Sequence, residues 1–157
     1  MEYFPWEHDE SDDGLAYIED LPESIDDESF QIKEEKSIAG WWPEDVILDL
    51  SLDYGGLKLS DSIPNAVGVH IVSEKLKNIL EEECGETIDF YPVKIRNQKG
   101  RLIKKTYYLA HLRLIIGAMD WGKSDADVNA MHPECVATIR RLVLDEKKSR
   151  KIPSYLP

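Results

Sequence analysis

The stretch Ile63–Trp121, IPNAVGVHIVSEKLKNILEEECGETIDFYPVKIRNQKGRLIKKTYYLAHLRLIIGAMDW, decides how this chain folds. A β-rich run (Val67, Val69, Ile71, Val72) stops at Ser73, and a helical period begins at Leu76, Ile79, Leu80 and Cys84. A serine at that junction caps the free N–H groups of the first helical turn. Glu74 then faces the positive end of the helix dipole, and Gly85 supplies the left-handed residue that ends the helix. The spacing predicts a helix over 74–84.

After Gly85 the period becomes that of a strand. Ile88 and Phe90 alternate with Asp89, whereas Tyr91, Val93 and Ile95 alternate with Pro92, Lys94 and Arg96, so the apolar phase slips by one residue near Pro92. Proline cannot donate to a sheet ladder, which predicts an edge or a bulge at that point. Asn97-Gln98-Lys99-Gly100 has the length and the glycine of a short hairpin loop. The chain is expected to return through Leu102, Ile103 and Thr106 to Leu109 as an antiparallel partner.

Working outward, Trp41 and Trp42 precede Pro43, whose ring favours an extended preceding residue, so the two indoles are expected on opposite sides of a strand, one in the core and one partly exposed. Val46, Leu48 and Leu50 alternate with Ile47 and Asp49. With Tyr54-Gly55-Gly56 and Leu57-Lys58-Leu59 they predict another hairpin whose turn needs the glycines. Beyond Trp121 the pattern weakens. His132-Pro133-Glu134 suits the opening of a short helix, and periodicity leaves Ile139 to Leu144 open between strand and helix. The fold expected is α+β, a single domain spanning 1–157 with a mostly antiparallel, twisted sheet. One clear helix at 74–84 flanks it, with one or two short helices near 110–120 and 133–138.

With 157 residues and 42% hydrophobic content, one core needs no disulfide support. Cys84 and Cys135 form no CxxC, the chain opens on an acidic rather than a basic and apolar stretch, and no apolar run reaches the roughly 20 residues that span a bilayer. These features point to a reducing cytoplasm and away from a membrane.

The net charge of −12 is concentrated. Residues 1–36 hold 14 acidic groups against Lys33 and Lys36, while the other 121 residues carry 17 acidic and 17 basic groups. A block of like charge is commonly a solvated leader. Here it is interleaved with Tyr3, Phe4, Trp6, Leu15, Tyr17, Ile18, Leu21, Ile25, Phe30 and Ile32, which favours docking, with Tyr3–Trp6 as a short strand and Asp9–Gly14 as a turn. An acidic surface steers a basic partner, whereas pairing within the chain, against the basic hairpin, is the plain alternative. That hairpin carries Lys94, Arg96, Lys99, Arg101, Lys104 and Lys105, and lysines at a sheet edge commonly serve against aggregation. Nucleic-acid binding would use the same cations with Tyr107 and Tyr108 as stacking platforms, but a sequence pI near 4.7 opposes it.

Nothing in the chain carries a catalytic or cofactor motif. His8, His70, His111 and His132 lack metal-ligand spacing, neither cysteine completes a zinc set, and no nucleophile elbow or phosphate loop occurs. His70 alternates with Val69 and Ile71 and is expected on the polar face. A spatial pair such as Glu134 with Asp120 or His111 would leave no linear trace. No catalytic, cofactor or metal residue is assigned.

The Trp42-Pro43 step, the run Ile71–Leu76 (IVSEKL), the run Asp89–Val93 (DFYPV), Tyr107-Tyr108, and Asp120 followed by Ser124 occur in an order and spacing that resembles the eleventh immunity family of bacterial polymorphic-toxin systems, first catalogued as a domain of unknown function. The resemblance covers 38–148. It implies a protein that binds and silences a toxin made by the same cell or its kin; the function expected is stoichiometric inhibition that occludes the toxin's active face, without chemistry and without cofactor. An acidic adaptor for another basic protein is the alternative, and an enzyme with a site outside any motif comes third. Glu7, Asp9, Glu10, Asp12 and Asp13, with Trp41 and Trp42, are the expected contact surface for a partner that is itself basic.

Overall fold

The computed structural model describes Trp6 and residues 12–114, 116–131 and 136–149. Its chain parts into two compact units, Met1–Leu114 and Ile115–Pro157. The first contains α1 (Glu23–Asp26), a 3-10 turn at Ser29–Lys33, β1 (Ile47–Asp49), β2 (Ser62–Ile63), β3 (His70–Ser73), α2 (Glu74–Cys84), β4 (Ile88–Arg96) and β5 (Tyr107–Leu112). The second contains β6 (Asp125–Val128), β7 (Val136–Arg141) and α3 (Glu146–Ser149). This is an α+β fold.

In the first unit five strands lie in the order β1-β4-β5-β3-β2. Only the β1–β4 pairing is parallel; β4–β5, β5–β3 and β3–β2 are antiparallel. The strands β3 and β4 that bracket α2 therefore run parallel to each other with β5 inserted between them.

Ser73 ends β3 and caps α2 as its position predicts: its Oγ accepts the Leu76 N–H at 3.3 Å. Gly85 closes the helix at φ 55°. One side of the sheet meets α2, where Val72, Ile88 and Ala110 are buried against Leu76, Leu80, Cys84, Phe90 and Tyr108. The opposite side is the main core, with Ile71, Val93, Ile95, Tyr107 and Leu109. The apolar phase change in β4 is thus a change of face. Ile88 and Phe90 serve the helix layer, Tyr91, Val93 and Ile95 the main core, and the pairing from Ile88–Leu112 to Val93–Tyr107 runs without a break.

Pro92 sits inside that ladder without a bulge, for a local reason. Lys94 N donates to Val46 O at 2.8 Å, towards β1; by strand alternation the Pro92 nitrogen points the same way, and β1 pairs only with 94–96. The missing donor lies where β4 is at its own edge. The irregularity is on the return strand, where the register moves from Val93–Tyr107 to the Arg96–Leu102 bridge, leaving two extra residues around Lys104 and Lys105. The hairpin itself forms as expected, with Gly100 N donating to Asn97 O at 2.8 Å and Gly100 at φ 73°.

From Asp12 onward the acidic leader and the residues that follow it pack on the core. Ala16, Ile18, Ile25, Ile32 and Ile38 are all buried in the main cluster. Main-chain bonds fasten the leader to the segment ahead of β3: Lys58 N to Gly14 O and Ala16 N to Lys58 O, both 2.9 Å, then Ile18 N to Pro64 O at 3.1 Å and Ala66 N to Ile18 O at 3.0 Å. Each buried aliphatic side chain contributes about 1.5 to 3 kcal/mol, enough to hold a segment that charge alone would expel.

Several expectations fail. Residues 46–59 form no hairpin: β1 pairs in parallel with β4, and Lys58 meets Leu15 in a parallel bridge. No helix occupies 110–120 among the described residues, because β5, central in the sheet and covered on both faces, runs on to Leu112 and irregular chain follows. In the predicted helix 133–138, residues 136–138 belong to β7, and the remainder lies outside the described residues. The short helices are instead α1 and α3. Tyr3–Phe4–Pro5 and Asp9–Ser11 also lie outside the described residues; Asp13 and Gly14 form a turn.

In the second unit β6 and β7 pair antiparallel with two register shifts. Arg140 bridges Asp125 at 2.7 Å and Asp127 at 2.6 Å. Asp120 Oδ1 accepts the Gly122 N–H, Ser124 N donates to Asp120 O, and Ser124 Oγ both donates to Val143 O and accepts Val143 N–H. That explains why an aspartate is followed by a serine four residues on.

Candidate partner-binding surface

The two tryptophans precede a proline but do not form a strand. Trp41 N and Trp42 N both donate to Ile38 O, at 3.1 and 3.0 Å, so the chain turns there. Both rings are half-buried against the main core, with centroids 5.9 Å apart, and Trp42 continues to Tyr91 at 5.3 Å. The expectation of one core and one exposed indole is corrected: the turn sends both to the same layer. The indole Nε1 atoms are buried without a hydrogen-bond partner among the described residues.

Tyr91 links this pair to a polar seam. Its ring lies 6.3 Å from that of His111, and its hydroxyl stands 3.4 Å from both Ser37 Oγ and Asp89 Oδ2. Asp89 accepts from Arg113 at 3.0 Å, and Arg113 Nε also reaches Glu35 O. His111 is fully buried, with Nε2 2.8 Å from Glu34 O. The imidazole thus anchors the end of the acidic leader. His70 is half-buried and stacked on Trp6, centroids 4.4 Å apart, and the Trp6 indole donates to Ser62 Oγ.

Of the predicted acidic contacts, Glu7, Asp9 and Glu10 lie outside the described residues. Asp13 is exposed. Asp12 is committed within the chain: Lys58 Nζ donates to Oδ2 at 2.7 Å and Gly14 N to Oδ1 at 3.0 Å. The lysine bond, then the backbone bond, hold its carboxyl below the ordinary range. Among the described residues no hydrogen bond joins Asp12 or Asp13 to Trp41 or Trp42.

The basic hairpin pairs with carboxylates other than those of the leader. Lys94 meets Asp45 at 2.6 Å, Arg96 holds Asp49 through bonds of 2.5 and 2.6 Å, and Lys105 reaches Asp61 at 3.3 Å. The Arg96 fork pushes the Asp49 carboxyl down, and the carboxylate raises the guanidinium in return. The pairing arises because β1 lies alongside β4, a neighbour relation no local pattern encodes.

The loop from Leu52 to Leu57 escaped the sequence argument, which assigned it to a hairpin turn. Leu52, Tyr54 and Leu57 are 77%, 54% and 75% exposed. Beside it lies a groove of about 400 Å³ bordered by Glu19, Asp20, Asp49, Leu52 and Asp53. The signal available was three large apolar residues within six positions around a Gly-Gly pair. Among the described residues no three His, Cys, Asp or Glu side chains gather as a metal set.

The model of the immunity protein family Imm11 matches residues 4–151. The chain belongs to that family. No curated protein matches it. The segments that carry the sequence resemblance have structural roles: Trp42-Pro43 sets the aromatic layer over Tyr91, the IVSEKL run is the β3–α2 junction, and DFYPV is the part of β4 where Pro92 meets open edge. Among the described residues no helix is long and apolar enough to cross a membrane.

Proposed function

We propose that this chain is a cytoplasmic immunity protein that binds one cognate toxin stoichiometrically and occludes its active face, with no turnover and no cofactor. Membership of the Imm11 family over residues 4–151 carries the proposal. The acidic surplus of the leader supports a basic partner, since charge complementarity mainly accelerates encounter and selects among partners. In this scheme Glu7, Asp9, Glu10 and Asp13 supply steering charge, Asp12 being tied to Lys58, and Trp41 and Trp42 shape the surface from below.

The test is genetic. The toxin gene beside this one, expressed alone, arrests growth; expressed together with this chain, it does not. A purified mixture gives a complex of fixed stoichiometry in which the toxin is inactive. A neighbour that is harmless alone, or equally toxic in the presence of this chain, sinks the immunity function and leaves an acidic adaptor.

A further inference from the structure

We infer that the Leu52–Leu57 loop, with the acidic groove beside it, is the surface that docks on the basic face of the toxin; the inference rests on the immunity function proposed above. Three observations converge. The first is apolar exposure: Leu52, Tyr54 and Leu57 project to solvent from one short loop. Scattered apolar side chains are normal on a surface, but three anchors on one loop form the kind of patch that marks an interaction site.

The second is that the loop is held rigid while its side chains point outward. Ser51 is buried and serves as its hub. Its Oγ donates to Glu19 Oε2 at 2.6 Å and accepts the N–H groups of Asp53 and Tyr54, both at 3.0 Å, while its own N–H donates to Tyr17 O at 2.8 Å. The Tyr54 ring packs at a tilt against that of Tyr17, with centroids 4.5 Å apart. At the far end Gly56 packs on the Gly14–Leu15 backbone and its carbonyl accepts from Gln98 Nε2 at 3.2 Å. A loop fixed before binding loses little conformational freedom on association, so its anchors convert to affinity efficiently.

The third is charge. Asp20 and Asp53 border the groove and form no ion pair among the described residues, whereas Asp49 is already held by Arg96. Unneutralised carboxylates around apolar anchors match a partner face where arginine or lysine rims an apolar depression. This is the usual division of an interface into a desolvated centre and a charged rim. A lysine or arginine of the partner fits the groove between Asp20 and Asp53.

The experiment uses the full chain and its cognate toxin in an inactivated form, with binding kinetics and growth protection as readouts. The double variant L52S/L57S, at exposed positions, keeps the melting temperature and raises the dissociation rate at least tenfold. Asp20→Lys with Asp53→Lys slows association several-fold at low salt and flattens its salt dependence. Wild-type kinetics and protection in both folded variants place the toxin elsewhere and overturn the docking surface while leaving immunity standing. A wild-type chain that neither binds nor protects overturns immunity and this surface together. A wild-type dimer that L52S/L57S dissociates, with toxin binding unchanged, assigns the patch to a second copy of this chain and also overturns the inference.

Discussion

Ser73 Oγ donates to Asp61 Oδ1 at 2.7 Å while accepting the Leu76 N–H at 3.3 Å, so one fully buried hydroxyl joins the start of α2 to the residue before β2. Ser73 N also donates to Asp61 O at 2.8 Å. Lys75 and Lys105 reach the same carboxylate, each at 3.3 Å. A serine cap that the sequence shows as local is therefore braced by a partner twelve residues away. Ser73→Ala loses about 1 to 2 kcal/mol, as helix caps do, and leaves the buried side of Asp61 without its donor. Urea denaturation of S73A, D61A and the double variant checks this: the two losses are expected to overlap, with the double variant well short of their sum.

The same carboxylate gives a pH dependence. The Ser73 hydroxyl foremost, then Lys105 and Lys75, hold Asp61 below its ordinary value of 3.8, against the opposing effect of burial. Asp49 and Asp12 are lowered too, by Arg96 and Lys58. A carboxyl with a depressed folded pKa stabilises the fold above the unfolded value, and that contribution is lost as pH falls through the folded pKa. Stability is thus expected to be level near neutrality and to decline below about pH 4. Asp61→Asn makes the decline shallower. Thermal melts from pH 7 to pH 2.5 measure it, and an identical slope in D61N removes Asp61 from the account.

Local physics made α2 legible: a β-rich run, a capping serine, a 3.6-residue period and a glycine all agree, and the helix spans 74–84 as expected. The Asn97–Gly100 turn was legible for the same reason. Strand neighbours were not. Nothing near Ile47 announces a parallel partner at Lys94, and an alternating run that ends in Gly-Gly looks like a hairpin until a distant strand claims it. Tyr107 to Leu112 is apolar on both faces because it is central in the sheet, which blurs its period towards that of a buried helix. The Trp pair misled for another reason, since the restriction that proline places on Trp42 does not prevent a turn one residue earlier.

Gly56 tests whether the Gly-Gly pair matters for conformation or for space. A Cβ there would stand 1.8 Å from Leu15 O and 2.8 Å from Gly14 C, both backbone atoms, whereas at Gly55 nothing lies within 4 Å. Gly56→Ala forces the leader and the loop apart and is expected to cost about 1 to 3 kcal/mol or more, as overpacking does. Gly55→Ala is expected to be nearly silent. Paired melts of the two variants decide it, and equal losses would mean that the packing of the leader against Gly56 is looser than described.

The basic hairpin separates pairing from recognition. Lys94, Arg96 and Lys105 are engaged with Asp45, Asp49 and Asp61, while Lys99, Arg101 and Lys104 show no ion pair among the described residues. Exposed pairs contribute little to stability, so changing all six to glutamine is expected to leave the fold and the protection against the toxin intact. The hairpin strands β4 and β5 lie inside the sheet, so the change bares no edge strand and solubility is expected to hold as well. Protection lost in a folded, soluble variant would make the hairpin the recognition element instead.

Trp42 is the remaining case in which packing and recognition make opposite forecasts. Its ring is half-buried on the core, 5.3 Å from Tyr91 and 5.9 Å from Trp41. Truncation of a fully buried aromatic costs about 3 to 5 kcal/mol. For a half-buried ring about 2 to 4 kcal/mol is expected for Trp42→Ala, with the loss visible in denaturation. Trp42→Phe is milder than its lost area implies, because the indole N–H it removes is a buried donor without a hydrogen-bond partner among the described residues, and such donors are themselves unfavourable. If Trp42 only supports the surface from below, the dissociation rate from the toxin changes little wherever the variant is fully folded. A W42A protein with undiminished stability and rapid dissociation would put the indole at the contact itself, and the centre of the interface would move from the Leu52–Leu57 loop to the aromatic layer over β4.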